Sequence, residues 1–485
     1  FVIENGATLR TTETVTQGSP MKMEGEDGGC VENLKDFIIE TPVEGTLLTK
    51  KGEGWMKLNT ACPSLERLAL NGGTVQCVAC DKPAQTVEFM SGTLYENTGS
   101  SYAIHVPEGG SGTWSLVNDS YYSNKITGEG KLTIYCPVRH GIGWFATRTQ
   151  MAVNLSQFTG TINATADMAD TYPRFTLNTS SGMPDGTLNI AGGVTVQNTG
   201  RTFRIGKLAG KGALGGYASF ANDGATGVNT WQVGCDDDFT WAGTVTANSK
   251  FEKVGSGKMT VSGVWDNTGE VAVKEGTLCL NDRSAENAML GSGELSVEDG
   301  AVLCGLGKLG NASVTVKRGG RLYSGTREGA SSGALDFSGK RLTVSAGGEV
   351  MFNVASKVRC TTLEGISSFS LRGTLKVSVR EGLELEAGDE FQLWTANRTV
   401  LSSACTLDLD SPGEGLEWDT SALEDGVLKV KTATGIMGVV SGEPVDCVVY
   451  TLDGARAGYF TCMPSEVREY MEENGFRPGM YMVKM

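Results

Sequence analysis

Histidine is nearly missing from this chain: His105 and His140 are the only two among 485 residues. Histidine-based acid–base chemistry and imidazole metal sites therefore have little to build on. Cysteine is sparse too. Twelve residues, at positions 30, 62, 77, 80, 136, 235, 279, 304, 360, 405, 447 and 462, amount to roughly 2.5%, well under the ~8% of disulfide scaffolds. The one close pair, Cys77-Val-Ala-Cys80, has no second CxxC and no neighbouring histidine. A four-ligand zinc site is not expected there; buried thiols or one local disulfide are. No apolar run approaches the roughly 18 residues that span a bilayer. Basic clusters are absent and the net charge is −15. Nucleic acid is thereby excluded as an expected partner, because phosphate contacts need a basic footprint, and anionic lipid is disfavoured. Helical periodicity is missing until the last forty or so residues.

What is abundant is glycine, 67 residues, or about twice average usage. It comes without a collagen period or a proline bias, so frequent turns are its expected use. The turns recur. Gly269-Glu-Val-Ala-Val-Lys-Glu-Gly-Thr-Leu278 is followed by Gly293-Glu-Leu-Ser-Val-Glu-Asp-Gly-Ala-Val-Leu303 and Ala312-Ser-Val-Thr-Val-Lys-Arg-Gly-Gly-Arg-Leu322. Leu342-Thr-Val-Ser-Ala-Gly-Gly-Glu-Val350 is a further copy. Each is an alternating strand, a glycine turn and a second short strand. The turn glycines Gly276, Gly300, Gly319 and Gly347 repeat at spacings typical of solenoids, and two or three short strands per unit are too few for a propeller blade. Alternation sends Val, Leu and Ile inward and Thr, Ser, Lys and Glu outward. One rung cannot bury its apolar edge alone, but stacked rungs can. With rungs about 4.8 Å apart and roughly 20–25 residues each, residues 1–430 predict a rod on the order of 90 Å long.

Lys253-Val-Gly-Ser-Gly, Asn267-Thr268, Gly276-Thr-Leu278 and Gly300-Ala-Val-Leu303 carry a family resemblance. The run from about Thr230 to Val354 resembles the autotransporter-associated β-strand repeats of secreted bacterial proteins. That resemblance implies a right-handed parallel β-helix. It weakens before Thr230, where spacing alone extends the architecture, and it carries no active site to transfer.

A break is expected near Lys431–Gly435, after Gly388–Trp394 and Leu416–Leu423 as closing rungs. Beyond it, the strands around Asp453-Gly454 read as a hairpin, and Ser465–Glu473, ended by Asn474-Gly475, reads as one short helix. Tyr450, Gly454, Gly479, Tyr481 and Lys484 resemble the pattern of type IX secretion sorting domains. The expected organisation is thus a solenoid over 1–430 and a small β-sandwich-like module over 436–485, the latter engaging secretion machinery. The chain opens as strand, turn, strand with no leader, so it is expected to start mid-repeat within a longer Gram-negative protein.

Candidate chemistry is thin. Asp236, Asp237 and Asp238 are the calcium candidates; a triplet supplies only part of the six to eight oxygens calcium takes, and an exposed turn is the competing reading. Arg139-His140 beside Trp144 lacks a carboxylate or nucleophile in sequence. The eight tryptophans suit either glycan platforms or buried rung positions. No catalytic residue and no cofactor other than calcium is expected. The function expected is a secreted or cell-surface stalk, adhesin-like or passenger region. The alternative is a polysaccharide-binding region or tail of a carbohydrate-active enzyme of the pectate-lyase kind, with a glycan or cell-surface partner.

Overall fold

The computed structural model describes all residues except 97, 117–120, 137–149, 168–173, 217–228, 247–248, 282–288, 434–444, 452–455, 463–470, 472–480 and 485. The fold is all-β: parallel strands stack into a β-solenoid of about 15 turns. The chain divides into two compact units. One holds residues 1–383, 390–410 and 420–429; the other holds 384–389, 411–419 and 430–485.

Within the first unit, sequence alternation becomes columns of identical chemistry. Val273, Val297, Val316, Val344, Leu371 and Leu401 are successive parallel partners; the first five are fully buried. A second column runs Phe251, Val271, Leu295, Val314, Leu342 and Phe369. Stacking puts like on like at about 4.8 Å, so each β-branched or aromatic side chain packs on its equivalents above and below. The corners match expectation: Gly276, Gly300, Gly319 and Gly347 have φ of 63°, 73°, 74° and 77°, where a side chain would be strained. The pattern does not stop at Thr230. Residues 1–116 carry the same parallel ladder, with Val31, Lys50, Leu70 and Phe89 as successive partners.

Two places depart from regular stacking. Strands Glu349–Ser356 and Arg359–Ile366 pair antiparallel near their tip, Val354 with Cys360 and Ser356 with Arg359. They form a lateral hairpin with Val358 86% exposed at its end. The expected closing rungs are also corrected. Trp394–Ala396 does stack parallel on Leu363–Ile366, but Glu390–Gln392 pairs antiparallel with Val427–Lys429, and Leu416–Asp419 falls in the other unit. Val427–Lys429 thereby occupies hydrogen-bonding groups of Glu390–Gln392 that would otherwise stand as a bare edge.

The second unit contains a three-stranded antiparallel sheet with Val445–Thr451 at its centre, flanked by Arg456–Cys462 and Tyr481–Lys484. Tyr450, Tyr481 and Lys484 lie on these strands. Asp453, Gly454, Gly479 and the 465–473 helix lie outside the described residues, apart from Met471, which is helical.

Candidate functional site

Buried charge is the usual sign of a site, because an unpaired ion in an apolar interior is costly. Here it marks corners. Lys253 sits in the apolar column between Val233 and Val273 and is fully buried. Its Nζ donates to the carbonyls of Val254 (3.0 Å), Gly255 (2.7 Å) and Glu275 (3.1 Å). Lys50, equally buried, donates to Lys51 (2.7 Å), Gly52 (2.7 Å) and Gly72 (3.4 Å). Each ammonium ties the carbonyls of its own corner to the next turn. Burial lowers both amines from 10.5 to about 8. The Asn267 amide works likewise, donating to Ser249 and Gly269 carbonyls at 3.2 and 3.1 Å. The Lys-x-Gly-x-Gly and Asn-Thr elements are therefore turn-stacking devices.

The three aspartates are dispersed among different partners. Asp236 accepts from the Ser256 hydroxyl at 2.7 Å, Asp238 from the Lys258 amide at 2.7 Å, and Asp237 pairs with Lys207 at 2.7 Å. Two reach forward one turn and one reaches back. Among the described residues no group of three His, Cys, Asp or Glu side chains is placed to hold a metal ion. His105 lies on the strand Ala103–Val106 with Nδ1 3.0 Å from Thr127 Oγ1. Arg139, His140 and Trp144 lie outside the described residues. Trp114, Trp231, Trp241, Trp265 and Trp394 are fully buried. No protein-family model and no curated protein matches the chain.

Three further features emerge only in the fold. The first is a polar track: Trp55, Thr74, Thr93, Thr113, Thr133, Asn163 and Asn189 are successive partners across seven strands. Its threonines and asparagines are half-buried. Asn189 donates to Asn163 at 2.9 Å, and Trp55, 40% exposed, lies 6.3 Å from Tyr95. The second is Glu96, fully buried, which accepts from Tyr102 Oη and, at 3.2 Å, from Trp114 Nε1; burial pushes its carboxyl up to about 7. The third is a cavity of about 270 Å³ beside the lateral hairpin, lined by Tyr323, Ser324, Glu328, Phe352, Asn353 and Thr361 among others. That is slightly under the roughly 300–1,000 Å³ of small-molecule sites. A signal for the first existed in the alternating Thr positions, but only strand register puts them in one line.

Proposed function

We propose that the chain is a structural stalk or passenger region of a larger secreted, cell-surface bacterial protein, built from repeats of the autotransporter-associated kind. On this reading the C-terminal unit is a sorting module of the type IX kind that engages secretion machinery. The observation that carries the reading is that a set of ion pairs on the solenoid's outer face joins one turn to the next. Arg10–Glu32, Lys57–Asp36, Lys250–Glu270, Lys317–Glu298 and Lys376–Asp408 are all ion pairs between consecutive turns. Each is worth about 0–1 kcal/mol, yet together they favour one register over its neighbours. Such a surface suits spacing and display. The test is surface proteolysis of intact source cells with an antibody to the full chain. Loss of signal from intact cells supports the reading, and signal retained until lysis sinks it.

A glycan-binding reading is favoured by the polar track, whose hydroxyls, amides and Trp55–Tyr95 pair offer hydrogen bonds and a stacking surface to a linear polysaccharide. Binding on a glycan array that Trp55→Ala abolishes would support it. For catalysis the proposal is negative: the chain alone turns over no polysaccharide. An unsaturated-product absorbance assay with uronic-acid polymers, with and without calcium, checks this; turnover lost in Asp237→Ala would install a lyase.

A further inference from the structure

Cysteines scattered in sequence meet in space. Cys279 and Cys304 are direct partners on consecutive parallel strands, Thr277–Asn281 and Val302–Lys308, and both are fully buried. In-register parallel neighbours sit about 4.8 Å apart, inside the roughly 4.4–6.8 Å Cα range that a disulfide spans. The two side chains belong to one buried cluster. Tyr323 follows Cys304 in the same column and packs on the pair. From the turn before comes Lys258, whose ammonium donates to the Thr326 carbonyl. That carbonyl lies 3.9 Å from Cys279 Sγ. Thr326 belongs to a loop, residues 325–332, that turns on Gly325 and Gly329 (φ 99° and 69°). Its residues Arg327, Glu328 and Gly329 are exposed, and the same loop walls the cavity that Tyr323 lines.

We propose that Cys279 and Cys304 are a redox-active dithiol that closes to a cross-turn disulfide by exchange with a small-molecule disulfide of the glutathione class. The Cys279 thiolate attacks one sulfur of the small disulfide and breaks its S–S bond. One small thiolate leaves and takes up the proton that Cys279 lost. The Cys304 sulfur then attacks Cys279 Sγ and expels the second small thiolate, which takes the Cys304 proton. Two protein thiols are oxidised by two electrons and one small disulfide is reduced to two thiols. The pair is asymmetric in the way exchange needs. The neighbouring Cys304 thiol and the Lys258 ammonium hold Cys279 below the ordinary thiol value against its burial, while Cys304 is pushed up. A cation beside a thiol favours the thiolate, the form that attacks a disulfide. Two other close pairs of free thiols serve as comparators: Cys77 beside Cys80 is pushed well up, and burial raises Cys447 beside Cys462.

The test is non-reductive peptide mapping of the folded full chain after exposure to oxidised glutathione at neutral pH. A peptide joining Cys279 to Cys304 is expected first, before any joining Cys77 to Cys80 or Cys447 to Cys462, and a dithiol reductant reverses it. Cys304→Ser should retain glutathione on Cys279, and Lys258→Met should slow alkylation of Cys279 several-fold. Links forming at the comparator pairs while Cys279 and Cys304 stay reduced would overturn the proposal, as would glutathione on Cys304 alone. The wild-type map decides without any variant, so a substitution that fails to fold leaves the proposal exposed to refutation.

Discussion

The corner at Lys50–Gly54 and the corner at Lys253–Gly257 are the same device set far apart in the chain. In both, a buried lysine donates to two carbonyls of its own corner and one of the next turn. In both, the first glycine has positive φ, 76° at Gly52 and 74° at Gly255. In both, the second glycine lets the preceding turn approach: a Cβ would lie 2.2 Å from the Lys35 carbonyl at Gly54 and 2.3 Å from the Asp237 carbonyl at Gly257. The next turn then seats Gly73 or Gly276, each with φ 63°, over those glycines. What differs is the turn underneath. Asn33 and Leu34-Lys35-Asp36 stand where the later corner has Cys235 and Asp236-Asp237-Asp238. The Asn33 amide donates to Lys35 and Trp55 carbonyls, whereas the aspartates bond to Ser256, Lys258 and Lys207. The corner needs its lysine and glycines and tolerates different chemistry below them, so the acidic triplet is a local variant and no part of the motif.

The largest effect should come from the close-approach glycines. Gly54→Ala and Gly257→Ala each drive a methyl group into a backbone carbonyl and are expected to cost about 3 kcal/mol, read as a lower urea midpoint and faster hydrogen exchange on the flanking strands. If either is neutral, the turns do not stack as closely as the comparison requires. Next, Lys50→Met and Lys253→Met remove the charged donor that three part-buried hydrogen bonds share and should each cost about 2 kcal/mol. The corners share no partners, so the double variant should lose the sum within about 0.5 kcal/mol; a larger coupling would mean that the two corners unfold as one.

The pH dependence is a finer probe. Each lysine is lowered from 10.5 to about 8 in the fold, so between those values the unfolded chain binds more protons and stability rises with pH. Wild type should therefore gain on Lys253→Met as pH rises from about 8 toward 10.5, in urea midpoints measured on both proteins. A flat difference would mean that the carbonyls hold the ammonium at its ordinary value. The smallest effect belongs to the variable part of the corner. Asp237→Ala removes an exposed ion pair with Lys207 and should cost under about 1 kcal/mol. Calcium should not raise the melting temperature of either protein; a rise that Asp237→Ala abolishes would restore the calcium reading.

By itself the sequence determined the local grammar of this protein. Period-two alternation assigns inward and outward faces, and Gly276, Gly300, Gly319 and Gly347 mark the corners because positive φ is a property of one residue and its neighbours. It also set the repeat class, since several such units can bury their edges only on each other. Tertiary structure alone decided which residues of different turns touch. Turn length varies: Val273, Val297, Val316 and Val344 are successive partners at unequal spacing. Contacts across turns therefore cannot be counted off from any fixed period. The three carbonyls around Lys253, the line of Thr74, Thr93, Thr113 and Thr133, and the meeting of Cys279 with Cys304 all depend on that register. The lateral hairpin at 349–366 and the antiparallel close at 390–429 escaped for the same reason. Alternating strands read alike whether they pair parallel or antiparallel, and only the packed neighbours select between them.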